Sequence, residues 1–168
     1  HTLSRKLAVA GAAAITAALC GAGLASASTS TGTSASGTEH FSLMTTQPSA
    51  SKYTIIASGV FTAGGADISG SKSDTAKFKG GTFKIDHGGK FRILKQHVDP
   101  KTCLAQFEAS TKFTLSGGTG AYQYLSGSGT AVINDLAIAP RNAKGACNLN
   151  ANPVVNEETI TATGHVKL

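Results

Sequence analysis

The feature that most narrows what this chain can become is a strict period of two. From Cys103 to Leu115 the odd positions read Cys, Ala, Phe, Ala, Thr, Phe, Leu, and the even positions read Leu, Gln, Glu, Ser, Lys, Thr. Successive side chains of a strand point to opposite faces. The alternation therefore sets Phe107, Phe113 and Leu115 against Gln106, Glu108 and Lys112. It predicts a long antiparallel strand with one face in a core and the other in water. The C-terminal segment repeats the pattern, with Ile160, Ala162, Gly164, Val166 and Leu168 alternating with Thr159, Thr161, Thr163, His165 and Lys167.

Residues 76–86 carry the same period with one break. Ala76 and Phe78 are followed, across Gly80-Gly81, by Phe83 and Ile85, and Phe78 to Phe83 is an odd step of five. A residue inserted at the paired glycines, as a bulge or sharp bend, restores a single apolar face. Strands bent at glycine are also how a small sheet curls. Further strands are expected at Phe41–Thr45, Tyr53–Phe61, Lys90–Val98 and Gly127–Ile138. The breaks fall at Gln47-Pro48, Gly64-Gly65, His87-Gly88-Gly89, Asp99-Pro100 and Gly117-Gly118-Thr119-Gly120, all rich in turn-forming residues. No helical period of ten residues or more occurs. The fold expected is all-β: about seven or eight strands in a small antiparallel β-barrel, with a β-sandwich as the alternative.

The first 27 residues read as an address. Arg5 and Lys6 precede an uncharged run, Leu7 to Leu24, and Ala25-Ser26-Ala27 offers a small-x-small cleavage point. This is the three-part pattern of a secretory signal, and its small-residue end speaks against a retained anchor. Leu19 before Cys20 departs from the small-residue–Cys pattern of lipoprotein signals. The chain opens on His1, so its start as given is read as incomplete or altered. Residues 28–39 are Ser/Thr/Gly-rich without apolar period and are expected to be a disordered leader. Residues 40–168 are expected to form a single barrel domain with no transmembrane segment. Past the signal two cysteines remain, and export favours a structural disulfide between Cys103 and Cys147.

Composition removes several function classes. At 168 residues the chain is too short for a (β/α)₈ enzyme of about 250 residues. With 14% charged residues it is neither a coiled coil nor an acidic disordered tail. Residues 72–101 hold eight Lys and Arg against three Asp. Within that stretch Lys77, Lys79, Lys84, Arg92 and Lys95 form a candidate basic surface. Such a surface suits an anionic cell-surface polymer, while the competing reading is lysine protection of a sheet edge. Nucleic acid is not expected, because no aromatics interleave with these cations as a stacking platform.

The stretch from Phe113 to Gly129, FTLSGGTGAYQYLSGSG, resembles a signature of allene oxide cyclase and dirigent-like barrels, in which a strand runs into Gly-Gly-Thr-Gly-x-Tyr and returns through Gly-x-Gly. Gly80-Gly81-Thr82-Phe83-Lys84 and Asp99 to Leu104 are similar to segments of small secreted actinobacterial proteins with this barrel. The resemblance covers roughly Phe41 to Leu168. It implies the barrel, and makes Gly117, Gly118, Gly120, Tyr122, Gly127 and Gly129 a corner motif in which Tyr122 and Leu125 plug one barrel end. It implies no site, because the catalytic and sugar-binding positions of those families find no counterpart in this chain.

Chemistry is sparse in the sequence. Gly118-Thr119-Gly120 lacks the third glycine and the following helix of a nucleotide loop, and Ser126-Gly127-Ser128-Gly129 is not a nucleophile elbow. Asp86 and His87 fall on opposite faces of a strand, and the His97/Asp99 pair sits at a strand end as solvated loop residues. No HxH or HxxxH spacing marks a metal site. Glu157-Glu158 reads as a solvated edge. No catalytic, cofactor-binding or metal-binding residue is nominated. The expectation is a secreted, non-catalytic barrel that binds a small apolar ligand or an anionic polymer. A cyclase- or dirigent-like enzyme and a purely structural protein are the alternatives.

Overall fold

The computed structural model describes residues 35–47 and 51–168. The expected signal segment and most of the leader lie outside them. Nine strands follow one another: β1 (Ser36–Thr45), β2 (Lys52–Ser58), β3 (Ala63–Ile68), β4 (Ser73–Phe78), β5 (Gly81–Asp86), β6 (Arg92–Val98), β7 (Leu104–Ser116), β8 (Ser126–Ile138) and β9 (Val155–Lys167). A single 3₁₀ turn, Gly120–Tyr122, lies between β7 and β8. The strands pair antiparallel in the order β5-β4-β3-β2-β1-β9-β8-β7, and β5 pairs back onto β7. The result is a closed eight-stranded barrel, with β6 as an extra strand on the free edge of β7. Among the described residues no helix is long and apolar enough to cross a membrane.

Register fixes which side chains face the lumen. Phe113 lies opposite Gly129, which lies opposite Gly164, and Ala131 lies opposite Ala162, which lies opposite Phe41. The odd residues of β7 and β8 and the even residues of β9 therefore point inward, as the alternation requires. Closure rests on three pairs, Lys84–Ser116, Ile85–Leu115 and Asp86–Thr114.

The sequence expectation departs from the fold in four places. β1 begins at Ser36, so residues 36–39, expected as leader, are strand, and Glu39 is fully buried. Residues 63–68 form β3 although Gly64-Gly65 reads as a turn; Gly65 pairs with Ile55 on one side and Phe78 on the other. Gly80-Gly81 is not a bulge within one strand. The chain reverses there, and Ala76 meets Phe83 across a hairpin. The odd step from Phe78 to Phe83 is a change of strand, which keeps both rings inside. The true register shift lies in β6, between Ile93 and Lys95.

One end of the barrel is closed by rings. Phe61, Phe78, Phe83 and Tyr122 stand 5.1–6.2 Å apart between centroids, and Leu125 is buried beside them. Each such pair contributes about 0.5–1.5 kcal/mol beyond its buried area. The corner that delivers Tyr122 docks on the β4–β5 turn through backbone. The Thr119 amide donates to the Thr82 carbonyl and the Ala121 amide to the Gly80 carbonyl, both at 2.9 Å. Two loops this close leave no room for side chains, and a Cβ at Gly118 would fall on the Thr82 carbonyl oxygen. Gly127 and Gly129 lie inside β8 and not in the turn. A Cβ at Gly129 would come within 2.7 Å of the Phe113 ring, so its hydrogen makes room for that ring.

Cys103 and Cys147 form a disulfide. It ties the start of β7 to the long β8–β9 connection, which Arg141 also fastens by donating to the Lys101 and Gly145 carbonyls.

Two outcomes test this frame. Gly118→Ala is expected to destabilise by about 2–3 kcal/mol through overpacking against backbone, read as a lowered urea midpoint at unchanged slope. Replacing both cysteines by Ser is expected to cost up to about 4 kcal/mol by the loop-entropy relation, with the barrel's far-ultraviolet spectrum retained.

Candidate functional site

The other half of the barrel is hollow. A cavity of 210 Å³ opens there, walled by Phe41, Leu43, Phe113, Leu115, Ile133 and Ile160. Its lip is formed by the β3–β4 loop, Ser69 to Ser71, and by His87 and Phe91 from the β5–β6 loop. The same inward register that delivers the apolar wall brings ionisable groups to this end. Tyr53 on β2 donates to the Glu158 carboxylate on β9 at 3.1 Å. Asp74 on β4 accepts from His87 Nε2 at 3.3 Å and from the Gly70 amide at 2.9 Å. The Gly89 amide donates to His87 Nδ1 at 3.2 Å, so Nε2 carries the ring proton toward Asp74. With both nitrogens occupied, His87 fastens the lip loop and is not a free base.

Two more carboxyls face the same interior. Asp67 on β3 lies across from Tyr53. It is 1% exposed and its Oδ1 has no hydrogen-bond partner among the described residues. Asp135 on β8 lies directly across from Glu158, and its Oδ1 is also buried without a partner. Burial disfavours the charged form of each. Asp67 is pushed up to about 7 by burial first and then by the Asp74 charge. Burial raises Asp135. Burial also raises Glu158, opposed by the Tyr53 hydroxyl and reinforced by Asp135. The Tyr53 phenol is raised by burial and by Glu158, which keeps it a donor.

Charge is divided by face. Every Lys and Arg within the strands points outward, whereas Glu39, Asp67, Asp74, Asp135 and Glu158 point inward. Glu39 sits at the closed end, where it accepts from the Phe61 amide at 3.1 Å and so holds the β2–β3 turn.

Of the residues singled out in the sequence, Lys77 and Lys84 lie on the outer face of the closed barrel, and Lys79 lies in the β4–β5 turn. Arg92 and Lys95 are on the extra edge strand. None of the five forms an ion pair among the described residues. His97 lies on β6, and no hydrogen bond joins it to Asp99 among the described residues. The Asp99 carboxylate is engaged by the Lys101 amide at 2.8 Å and the Thr102 hydroxyl at 2.9 Å, and these bonds lower its pKa. Glu157 is exposed, as expected of a solvated edge, but Glu158 is not part of one; it lines the cavity. Tyr53, Asp67, Asp74 and Asp135 were not nominated. The available signal was phase: Asp135 follows Ile133, and Glu158 precedes Ile160, on the apolar side of their strands.

Compared with known proteins, the chain matches no family model, no curated protein and no solved structure.

A carboxyl raised in the folded state stabilises the fold below its unfolded pKa, and that stability is lost as pH rises through the folded value. The window for Asp67 runs from about pH 4 to about 7, at roughly 1.4 kcal/mol per unit of displacement. The protein is expected to melt several degrees higher at pH 5 than at pH 8. Asp67→Asn should flatten that slope and raise the melting temperature at pH 8; an unchanged slope would remove Asp67 from the account.

Proposed function

We propose that this is an exported barrel that binds one small, largely apolar molecule in the open half of its lumen. The observation that carries the reading is the 210 Å³ cavity, its wall largely apolar with a few polar groups, Tyr53, Asp74, Thr111 and Glu158 among them. An apolar cavity of ~150 Å³ stays dry and admits benzene, so this one has room for a ring with a short arm. Few, placed polar groups on an apolar wall are the usual make-up of a ligand site. Export accords with the signal-like first 27 residues and with the disulfide.

Two other readings attach to specific features. The likeness to allene oxide cyclase and dirigent barrels implies steering of a reactive intermediate, which uses the same lumen and is distinguished by turnover. The outward Lys77 and Lys84, free of ion pairs among the described residues, support recognition of an anionic wall polymer. Such binding weakens with salt.

Toluene is the probe for the principal reading. It is expected to shift the NMR signals of Leu43, Phe113, Ile133 and Ile160 and to raise the melting temperature as its concentration rises. Ala131→Leu, which fills the cavity from β8, should abolish both effects. No shift in these residues at saturating toluene would overturn the reading.

A further inference from the structure

We infer that the lumen selects an organic cation, an ammonium carried on one small apolar ring or chain. The inference rests on the ligand-binding reading above and names the chemistry of the ligand. Its ground is the sign of what the cavity end presents. Two carboxyls, Asp74 and Glu158, line the cavity, Asp67 and Asp135 face inward from neighbouring register positions, and the four come from four different strands; no Lys or Arg lines the cavity. The protein holds 15 Lys and Arg, yet those on its strands all turn outward. Inward pairing with Lys or Arg, the usual remedy for a buried acid, is not used.

The acids are also short of donors. Asp74 is served by His87 and Gly70, and Glu158 by Tyr53 alone among the described residues. Asp67 and Asp135 each keep a buried oxygen with no partner. The two acids that line the cavity, Asp74 and Glu158, accept N–H donors strongly, and an ammonium supplies such donors where a hydrocarbon does not. Glu158 is the seat, because it lines the cavity and stands in register with Asp135. An anionic ligand finds two carboxyls in the lining and no Lys or Arg to pair with. A bare metal ion is poorly served, since no three of these groups converge at metal-binding distance among the described residues.

Proton linkage gives the inference a second signature. Around the seat, Tyr53 on β2 bonds Glu158 and Asp135 on β8 stands in register with it. Asp74 on β4 and His87 on the lip loop line the same cavity, Asp67 on β3 lies across from Tyr53, and Glu39 is at the far end. Burial holds Asp67, Asp135 and Glu158 toward their protonated forms. An ammonium favours the ionised forms, so its affinity rises from pH 5 to pH 8 and its binding releases a proton.

The experiment compares 2-phenylethylamine, 2-phenylethanol and phenylacetate, one ring with a charged, neutral or anionic end, by calorimetry on the purified protein. The amine is expected to bind about tenfold or more tighter than the alcohol, as charge-assisted hydrogen bonds require, with phenylacetate weakest. Glu158→Gln should bring the amine and alcohol affinities together. Equal affinity of the wild-type protein for amine and alcohol overturns the inference while the lumen reading stands. An amine preference that survives Glu158→Gln, or an amine affinity that falls from pH 5 to pH 8, also overturns it. Failure of all three probes, with toluene failing too, removes the lumen reading itself.

Discussion

The pairing of β5 with β7 is the constraint on which everything else depends. Only three residue pairs make the seam, yet they turn a sheet with two ends into a tube. In an open sheet Phe41 and Phe113 would belong to a face; in a closed one they meet, with centroids 6.3 Å apart. Inside and outside acquire meaning only at that point, and so does the division of charge between them. The seam is short, and it is backed by the glycine corner whose amides bond to the β4–β5 turn. Glycine is needed there because two backbones touch, which is a demand of packing and not of flexibility.

The tube is asymmetric along its axis. At one end large rings fill it, and Glu39 bonds the β2–β3 turn through one oxygen while its other oxygen is buried without a partner among the described residues. At the other end Phe41 and Phe113 stand along the wall with aliphatic and polar side chains, and the space between them stays empty. A stabilising core and a hollow site thus share one lumen, divided by where Phe61, Phe78, Phe83 and Tyr122 cluster. The acids of the hollow end work against stability at neutral pH, as buried charge without a partner does. That conflict between local choice and global stability is expected where a protein has a task beyond folding.

Much of the barrel was legible because period two is a local signal. β7 and β9 read correctly to the residue face, and the Tyr122 and Leu125 plug followed from the corner resemblance. What was missed shares a cause. A strand with few apolar residues, such as β3, has no phase to read, so Asp67 vanished with it. Gly64-Gly65 and Gly80-Gly81 look alike in sequence, but the first pair lies in a strand and the second in a reversal, and only long-range pairing distinguishes them. Glu158 shows the limit from the other side. Its phase was in plain view, but two adjacent carboxylates at a strand start read as a solvated edge until Tyr53, far away in sequence, is known to meet one of them.

β5 and β6 lie along the same edge of β7 in succession. Five residues, 87–91, span the length of edge that three residues of β7, 111–113, cover, so His87 and Phe91 are pushed out over the opening. The lip is therefore an insertion into one otherwise continuous ladder, anchored on both sides. Its length and composition are free to vary without disturbing the staves of the tube. Descendants of this architecture have an entrance they can re-tailor, widening or capping it, while the cylinder beneath keeps its register.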